Sequence, residues 1–171
     1  MAPALALLLL VSAPSGLSVV RGPEAVLQSS KKSETPTVVH FWATWCGPCV
    51  AEMPEILRLQ SGLAVLGAQM VLVSLDPPKD AVKVAGFLRE HRLLEVSGTE
   101  AVLLDAPDPA PITKRFDRHW SAQLPATFVV LQSGAVVSSH LGTTPVDAVL
   151  GEVRERIDAL HAGPAPVRRT P

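Results

Sequence analysis

Cys46 and Cys49 are the only cysteines among 171 residues, and Gly47 and Pro48 alone separate them in Trp45-Cys46-Gly47-Pro48-Cys49. Two thiols at this spacing can exchange with a disulfide: one attacks as a thiolate, and the other displaces it from the mixed disulfide that forms. The preceding run Val38-Val39-His40-Phe41-Trp42 reads as a strand. A helix holding Cys49 would then place Cys46 at its start, among backbone N–H groups without helical partners. Such surroundings favour the anion and lower a cysteine pKa from about 8.5 to anywhere between about 3.5 and 7.5. Cys46 is therefore the expected nucleophile and Cys49 the resolving thiol. Pro48 suits a first helical turn, Gly47 lets another chain come close, and Trp45 offers a flat surface beside Cys46.

A CxxC pair can also be half of a zinc site, but a structural site needs two further Cys or His ligands at compatible spacing. There is no third cysteine, and His40, His91, His119, His140 and His161 show no paired ligand spacing, so no metal and no bound cofactor are expected. A second passage, Leu124-Pro125-Ala126-Thr127-Phe128-Val129-Val130-Leu131, puts a proline at the mouth of a strong β run. An interior strand position would not tolerate it, whereas a first-residue or cis-turn position would.

Together, the strand, the WCGPC run, Pro54 five residues after the second cysteine and the later Pro-x-Thr-Phe strand resemble the thioredoxin superfamily. Within it, Phe41 to Pro54 is most similar to the extracytoplasmic TlpA/ResA-like proteins. The resemblance implies that Pro125 is a cis-proline beside the sulfurs, that Leu124 offers backbone hydrogen bonds to a substrate strand, and that Gly142 keeps the substrate groove open. It also marks three departures. A β-hairpin usually precedes the first core strand, a helper glutamate is expected in the inserted segment where only Asp76 and Asp80 lie nearby, and His40 stands where thioredoxins carry a buried aspartate. The peroxiredoxin branch is disfavoured because its Pro-x-x-x-Thr-x-x-Cys context is missing.

His40 shares a strand face with Trp42, and its position in the family lies under the resolving cysteine. An imidazole of ordinary pKa about 6.5 there can take the proton of Cys49 during resolution; a neutral space-filling imidazole is the alternative.

These residues need a scaffold, and the hydropathy pattern supplies one. Thr37–Ala43, 70–75, 100–104, 126–131 and 135–141 read as strands, the last two as a hairpin around Gln132-Ser133-Gly134. Helices are expected from Cys49 to about Gln60 with a kink at Pro54, over 79–92, over 112–120, and over a closing segment with an apolar stripe from Val146 to Leu160 capped by Thr144. The pattern predicts an α/β fold, a thioredoxin-like three-layer sandwich with a mixed central sheet and an inserted helix-strand unit at about 79–104. Residues 1–20 carry no charge and read as an apolar leader, a signal peptide or an anchor. Residues 21–36 read as a linker with a short helix, 37–162 as the domain and 163–171 as a disordered tail.

A net charge of -1 gives no nucleic-acid footprint. The expected function is a thiol-disulfide oxidoreductase, a monomeric protein-disulfide reductase acting on exported proteins such as cytochrome c maturation clients and recharged by an unidentified thiol donor. It would be periplasmic or secreted, touching a membrane only through an N-terminal anchor, or cytoplasmic if the leader has no targeting role. Glycine and proline between the cysteines resemble reducing thioredoxins, at about -270 mV, more than strong oxidants at about -120 mV. A thiol oxidant or isomerase is the first alternative, and a thioredoxin-fold binding or holdase module the second.

Overall fold

The computed structural model describes residues 16–162. The elements run β1 (Leu17–Val20), α1 (Pro23–Val26), α2 (Gln28–Lys32), β2 (Thr37–Trp42), α3 (Gly47–Ala51), α4 (Met53–Val65), β3 (Gln69–Ser74), α5 (Ala81–Glu90), β4 (Thr99–Leu104), α6 (Ala110–Phe116), β5 (Ala126–Val130), β6 (Val136–Leu141) and α7 (Val146–His161). One six-stranded sheet has the order β1-β4-β3-β2-β5-β6. β1, β4, β3 and β2 are parallel, and β5 and β6 are antiparallel to their neighbours. The sheet is thus mixed, and α5 with β4 forms the inserted unit between β3 and the proline strand.

All six residues of β2 are buried, as a central strand covered on both faces requires. Strand alternation divides them. Val38 and Trp42 face a core closed by Ile56, Leu59 and Leu63 of α4, Val84 and Leu88 of α5, and Val149, Val153 and Ile157 of α7. Val39 and Phe41 face a second core with Val26, Leu27, Ile112, Phe116 and Trp120. Helices therefore cover both sides of the sheet, and His40 lies on the α4/α7 side between Val38 and Trp42.

Two boundaries differ from the sequence expectation. Leu17–Val20, expected as the end of an apolar leader, forms the edge strand β1, with Leu17 opposite Ala101 and Val20 opposite Leu104. Residues 21–36, expected as a linker with a short helix, hold two short helices that bury Val26 and Leu27. The sheet so takes in a strand ahead of Thr37, because a short apolar run is equally compatible with a leader and with a half-buried strand. β1 joins β4 in parallel, and among the described residues no hairpin precedes β2. Residues 1–15 of the expected leader and the expected tail 163–171 lie outside the described residues. No helix among the described residues is long and apolar enough to cross a membrane.

The helix expected from Cys49 to Gln60 is two helices. Pro54 has no N–H to continue the ladder. Glu52 ends α3 at φ -89 and ψ 0, and the N–H groups of Glu55 and Ile56 both donate to its carbonyl. α6 stops at Phe116 instead of Trp120, and Thr144 does not cap α7: Pro145 occupies that position without a side-chain cap. Leu160, expected in the α7 stripe, is exposed.

Candidate active site

The loop leaving β2 is pinned before it reaches the first cysteine. Thr44 donates from its backbone N–H to Asp76 Oδ2 (2.9 Å) and from its hydroxyl to Asp76 Oδ1, and Ser74 Oγ donates to the same carboxylate (2.8 Å). The Cys46 N–H then donates to the Ala43 carbonyl (3.1 Å), closing a turn. Cys46 occupies the N-cap of α3, and its Sγ accepts the Cys49 N–H at 3.3 Å. A donor aimed at sulfur favours its anionic form. Cys46 and Cys49 are joined as a disulfide with Cα atoms 5.2 Å apart; Cys46 is 6% exposed and Cys49 fully buried. Trp45 stands out beside them, 63% exposed. Pro48 lies in the first turn of α3 and is exposed, and a Cβ on Gly47 would meet nothing within 4 Å. Nothing in the chain itself requires a glycine there.

The Leu124–Pro125 peptide is cis. Ala126 pairs with Phe41 on one side and Leu141 on the other, so Pro125 lies one step further along, where β2 releases the dithiol loop. Gly142, at φ +98, donates its N–H to the Pro125 carbonyl (2.9 Å). That conformation, and not space, is what calls for glycine. The register thus gathers Leu124, Pro125, Gly142 and the Trp45–Cys49 segment at one end of the sheet.

Beneath α3 lies a polar cluster that the sequence reading reached only in part. His40 Nδ1 hydrogen-bonds Thr127 Oγ1 (2.9 Å), which meets Thr144 Oγ1 (2.9 Å). Thr144 donates its N–H to Glu52 Oε2 (2.9 Å). His40 Nε2 sits 3.5 Å from Glu52 Oε1 without hydrogen-bond geometry. Burial pushes the imidazole down to about 3, and burial also raises the Glu52 carboxyl above the usual carboxylate range against the two Thr144 hydrogen bonds that lower it. At neutral pH His40 is therefore a neutral ring, and the pair is not an ion pair. Glu52 was not singled out from sequence; the available signal was its place three residues after Cys49, one helical turn on the same face. It also borders a cleft of about 410 Å³ with Pro48, Ala51, Glu55 and Thr143. Asp80 belongs to the 3₁₀ turn before α5, and Asp76 serves the Thr44 loop.

The His40 shift carries a stability signature. Its folded pKa lies below the unfolded value, so the stabilisation it reports is complete above about 6.5 and is lost as pH falls towards 3. Between those limits wild-type unfolding free energy should rise with pH by up to about 1.4 kcal/mol per unit more steeply than in His40→Leu. Urea denaturation at pH 4, 5, 6 and 7 measures both slopes; parallel slopes would remove the imidazole from the acid response.

Relatives carry the same chemistry in their names. The chain is 33% identical over 109 residues to the thiol:disulfide interchange protein DsbE homolog of Paracoccus denitrificans, covering 61% of this chain and 50% of that protein. It is 32% identical over 130 residues to the thiol:disulfide interchange protein HelX of Rhodobacter capsulatus, covering 75% of this chain and 62% of that one. A thiol:disulfide interchange protein of the thioredoxin family from Chlorobium tepidum superposes with a TM-score of 0.55 at 20% identity, over 75% of this chain and 82% of that one, which establishes the thioredoxin-like fold. The chain spans 50 to 62% of the length of the first curated relatives it matches. The Redoxin family profile matches residues 11–155, from before β1 into α7, and the chain belongs to the Redoxin family.

Proposed function

We propose that this chain is a protein-disulfide reductase in which the Cys46/Cys49 dithiol supplies two electrons to a disulfide of another protein. The observation that carries the reading is the position of Cys46 Sγ: at the N-cap of α3, receiving the Cys49 N–H, with Cys49 Sγ within bonding distance. In the reduced chain the Cys46 thiolate attacks one sulfur of the client disulfide. One client thiolate leaves, and a mixed disulfide with Cys46 forms. Cys49 then gives up its proton, and its thiolate attacks Cys46 Sγ, releasing the second client thiol and forming the Cys46–Cys49 disulfide. A thiol donor returns both electrons for the next turnover.

The proton of Cys49 is assigned to the His40/Glu52 pair. A neutral imidazole held near 3 is a weak base, whereas a carboxylate raised by burial is a stronger one than usual, so Glu52 accepts the proton and His40 packs behind it. Leu124 and Pro125 align an extended client segment across the site, with Trp45, Gly47, Pro48 and Gly142 forming the rest of its seat. The interchange activity named in the relatives supports thiol-disulfide exchange at this pair. The TlpA/ResA-like resemblance of Phe41 to Pro54 extends the proposal to exported clients, cytochrome c maturation substrates foremost, and to an extracytoplasmic monomer.

The deciding experiment is reduction of insulin by dithiothreitol with and without catalytic amounts of the chain. Wild type should accelerate precipitation of the insulin B chain, and Cys46→Ser should fall to the uncatalysed rate. Equal rates for the two would leave a binding module in place of an oxidoreductase.

A further inference from the structure

The segment between α6 and the cis-proline has an architecture of its own, organised by a tryptophan to which the dithiol chemistry assigns nothing. Trp120 is buried, and its ring lies 4.7 Å from Phe41 and 5.0 Å from Phe128 between ring centroids. Phe41 belongs to the strand that delivers the cysteines and Phe128 to the strand that follows Pro125. The Trp120 Nε1–H donates to the Gln123 carbonyl at 2.8 Å, immediately before Leu124. Between them Ala122 adopts φ +64, a left-handed conformation that is unfavourable for a non-glycine residue and persists only where the surroundings hold it. The base of the loop is tied as well: Trp120 N–H donates to the Asp117 carbonyl (3.0 Å), and Ser139 Oγ on β6 donates to the Asp117 carboxylate (2.9 Å). Ser121 and Gln123 remain exposed above this frame, and Leu124 packs partly against both cores.

We propose that Trp120 is a positioning residue that fixes the 121–124 loop, and thereby sets the preference of the site for disulfides embedded in an extended polypeptide over small free disulfides. The inference rests on the disulfide-reductase reading above. An extended client must meet the Leu124–Pro125 edge with its main chain as well as reaching Cys46 with its sulfur. A displaced Gln123–Leu124 peptide weakens that docking. A small disulfide needs the sulfur alone and is insensitive to the loop.

The test uses two variants with two substrates, insulin and the small aromatic disulfide DTNB. Trp120→Phe keeps a ring between Phe41 and Phe128 and deletes the N–H. Ala122→Val leaves the ring and its bond in place and strains the left-handed position from the surface side. Each should raise KM for insulin about 5- to 10-fold with kcat little changed, the scale of one client hydrogen bond lost at the displaced Leu124 edge, while the DTNB rate stays within about twofold of wild type. If insulin and DTNB rates fall together, or insulin KM does not move, the positioning role is wrong. Should Trp120→Phe fail to fold, Ala122→Val decides by the same criterion. A wild-type chain inert towards both disulfides overturns the reductase reading and this inference with it.

Discussion

A Cys49→Ser chain is expected to attack a client disulfide once and stop. The feature that favours the Cys46 thiolate, the backbone N–H of residue 49 aimed at its sulfur, survives the substitution because serine keeps that N–H. The first displacement should therefore proceed at close to its normal rate. The second cannot, because a hydroxyl does not displace a thiolate from a disulfide and the buried resolving sulfur is gone. The result is a one-to-one mixed disulfide between Cys46 and the client, seen by mass spectrometry as the summed mass and dispersed by dithiothreitol, with catalytic turnover abolished. Cys46→Ser should form no such adduct, since Cys49 is fully buried where a client sulfur cannot approach it in line. An adduct on Cys46→Ser of equal yield would exchange the roles of the two cysteines.

How far this arrangement was legible beforehand depended on the range of the interactions that fix it. Val38 to Trp42 announced a strand through its β-branched and aromatic residues, and Met70 to Leu75 announced one covered on both faces through its continuous apolar run. Val146, Val149, Val153 and Ile157 announced α7 through their helical spacing and are buried as a stripe. Pro125 announced a strand mouth by its inability to donate within a ladder. β1 was not legible. Leu17-Ser18-Val19-Val20 acquires its strand character from β4, more than eighty residues away, and its local sequence is indistinguishable from the end of an apolar leader.

The same logic separates the parts of the site. Cys46, Cys49 and the turn that displays them follow from local spacing, and the chain places them as that spacing dictates. Glu52 was hidden by the expectation of a single helix from Cys49 to about Gln60, kinked at Pro54, where the chain instead breaks into two helices at Glu52 itself. The break at Glu52 changes the phase: the buried face of α4 is Met53, Ile56, Leu59, Gln60 and Leu63, and Glu52 turns inward to Thr144. Thr144 in turn was read as a helix cap from its position before Pro145, whereas its hydroxyl is engaged with Thr127 and its N–H with Glu52. Both misreadings arise where a side chain serves a tertiary partner instead of its own helix end. Trp120 belongs with them, since its role comes from rings on two strands and a carbonyl three residues on.

Glu52→Gln should separate the two displacements in the same sense as Cys49→Ser, sparing attack, but slowing resolution instead of abolishing it. Glutamine has the same shape, and its carbonyl oxygen can keep the Thr144 N–H, but it cannot accept a proton. If the Glu52 carboxylate takes the Cys49 proton as the mixed disulfide collapses, its loss removes a general base, an effect of roughly 10²- to 10⁴-fold on that step. Quenched-flow reduction of a fluorescent peptide disulfide should show the first product released at an unchanged rate and the second delayed, with the mixed disulfide accumulating between them. The rate of Cys46 alkylation should not fall, because removing a nearby negative charge does not disfavour a thiolate. Stability gives an independent readout with a definite sign. The folded pKa of Glu52 lies above its unfolded value, so the stabilisation linked to its bound proton is present below about 4.5 and is lost as pH rises through the folded value. Wild type should therefore lose stability relative to Glu52→Gln across that window, and the gap should level off once the carboxylate is fully charged. Unchanged resolution together with this stability trend would leave Glu52 as a buried carboxylate without a part in proton transfer, and would return the proton of Cys49 to solvent through the cleft beside Pro48.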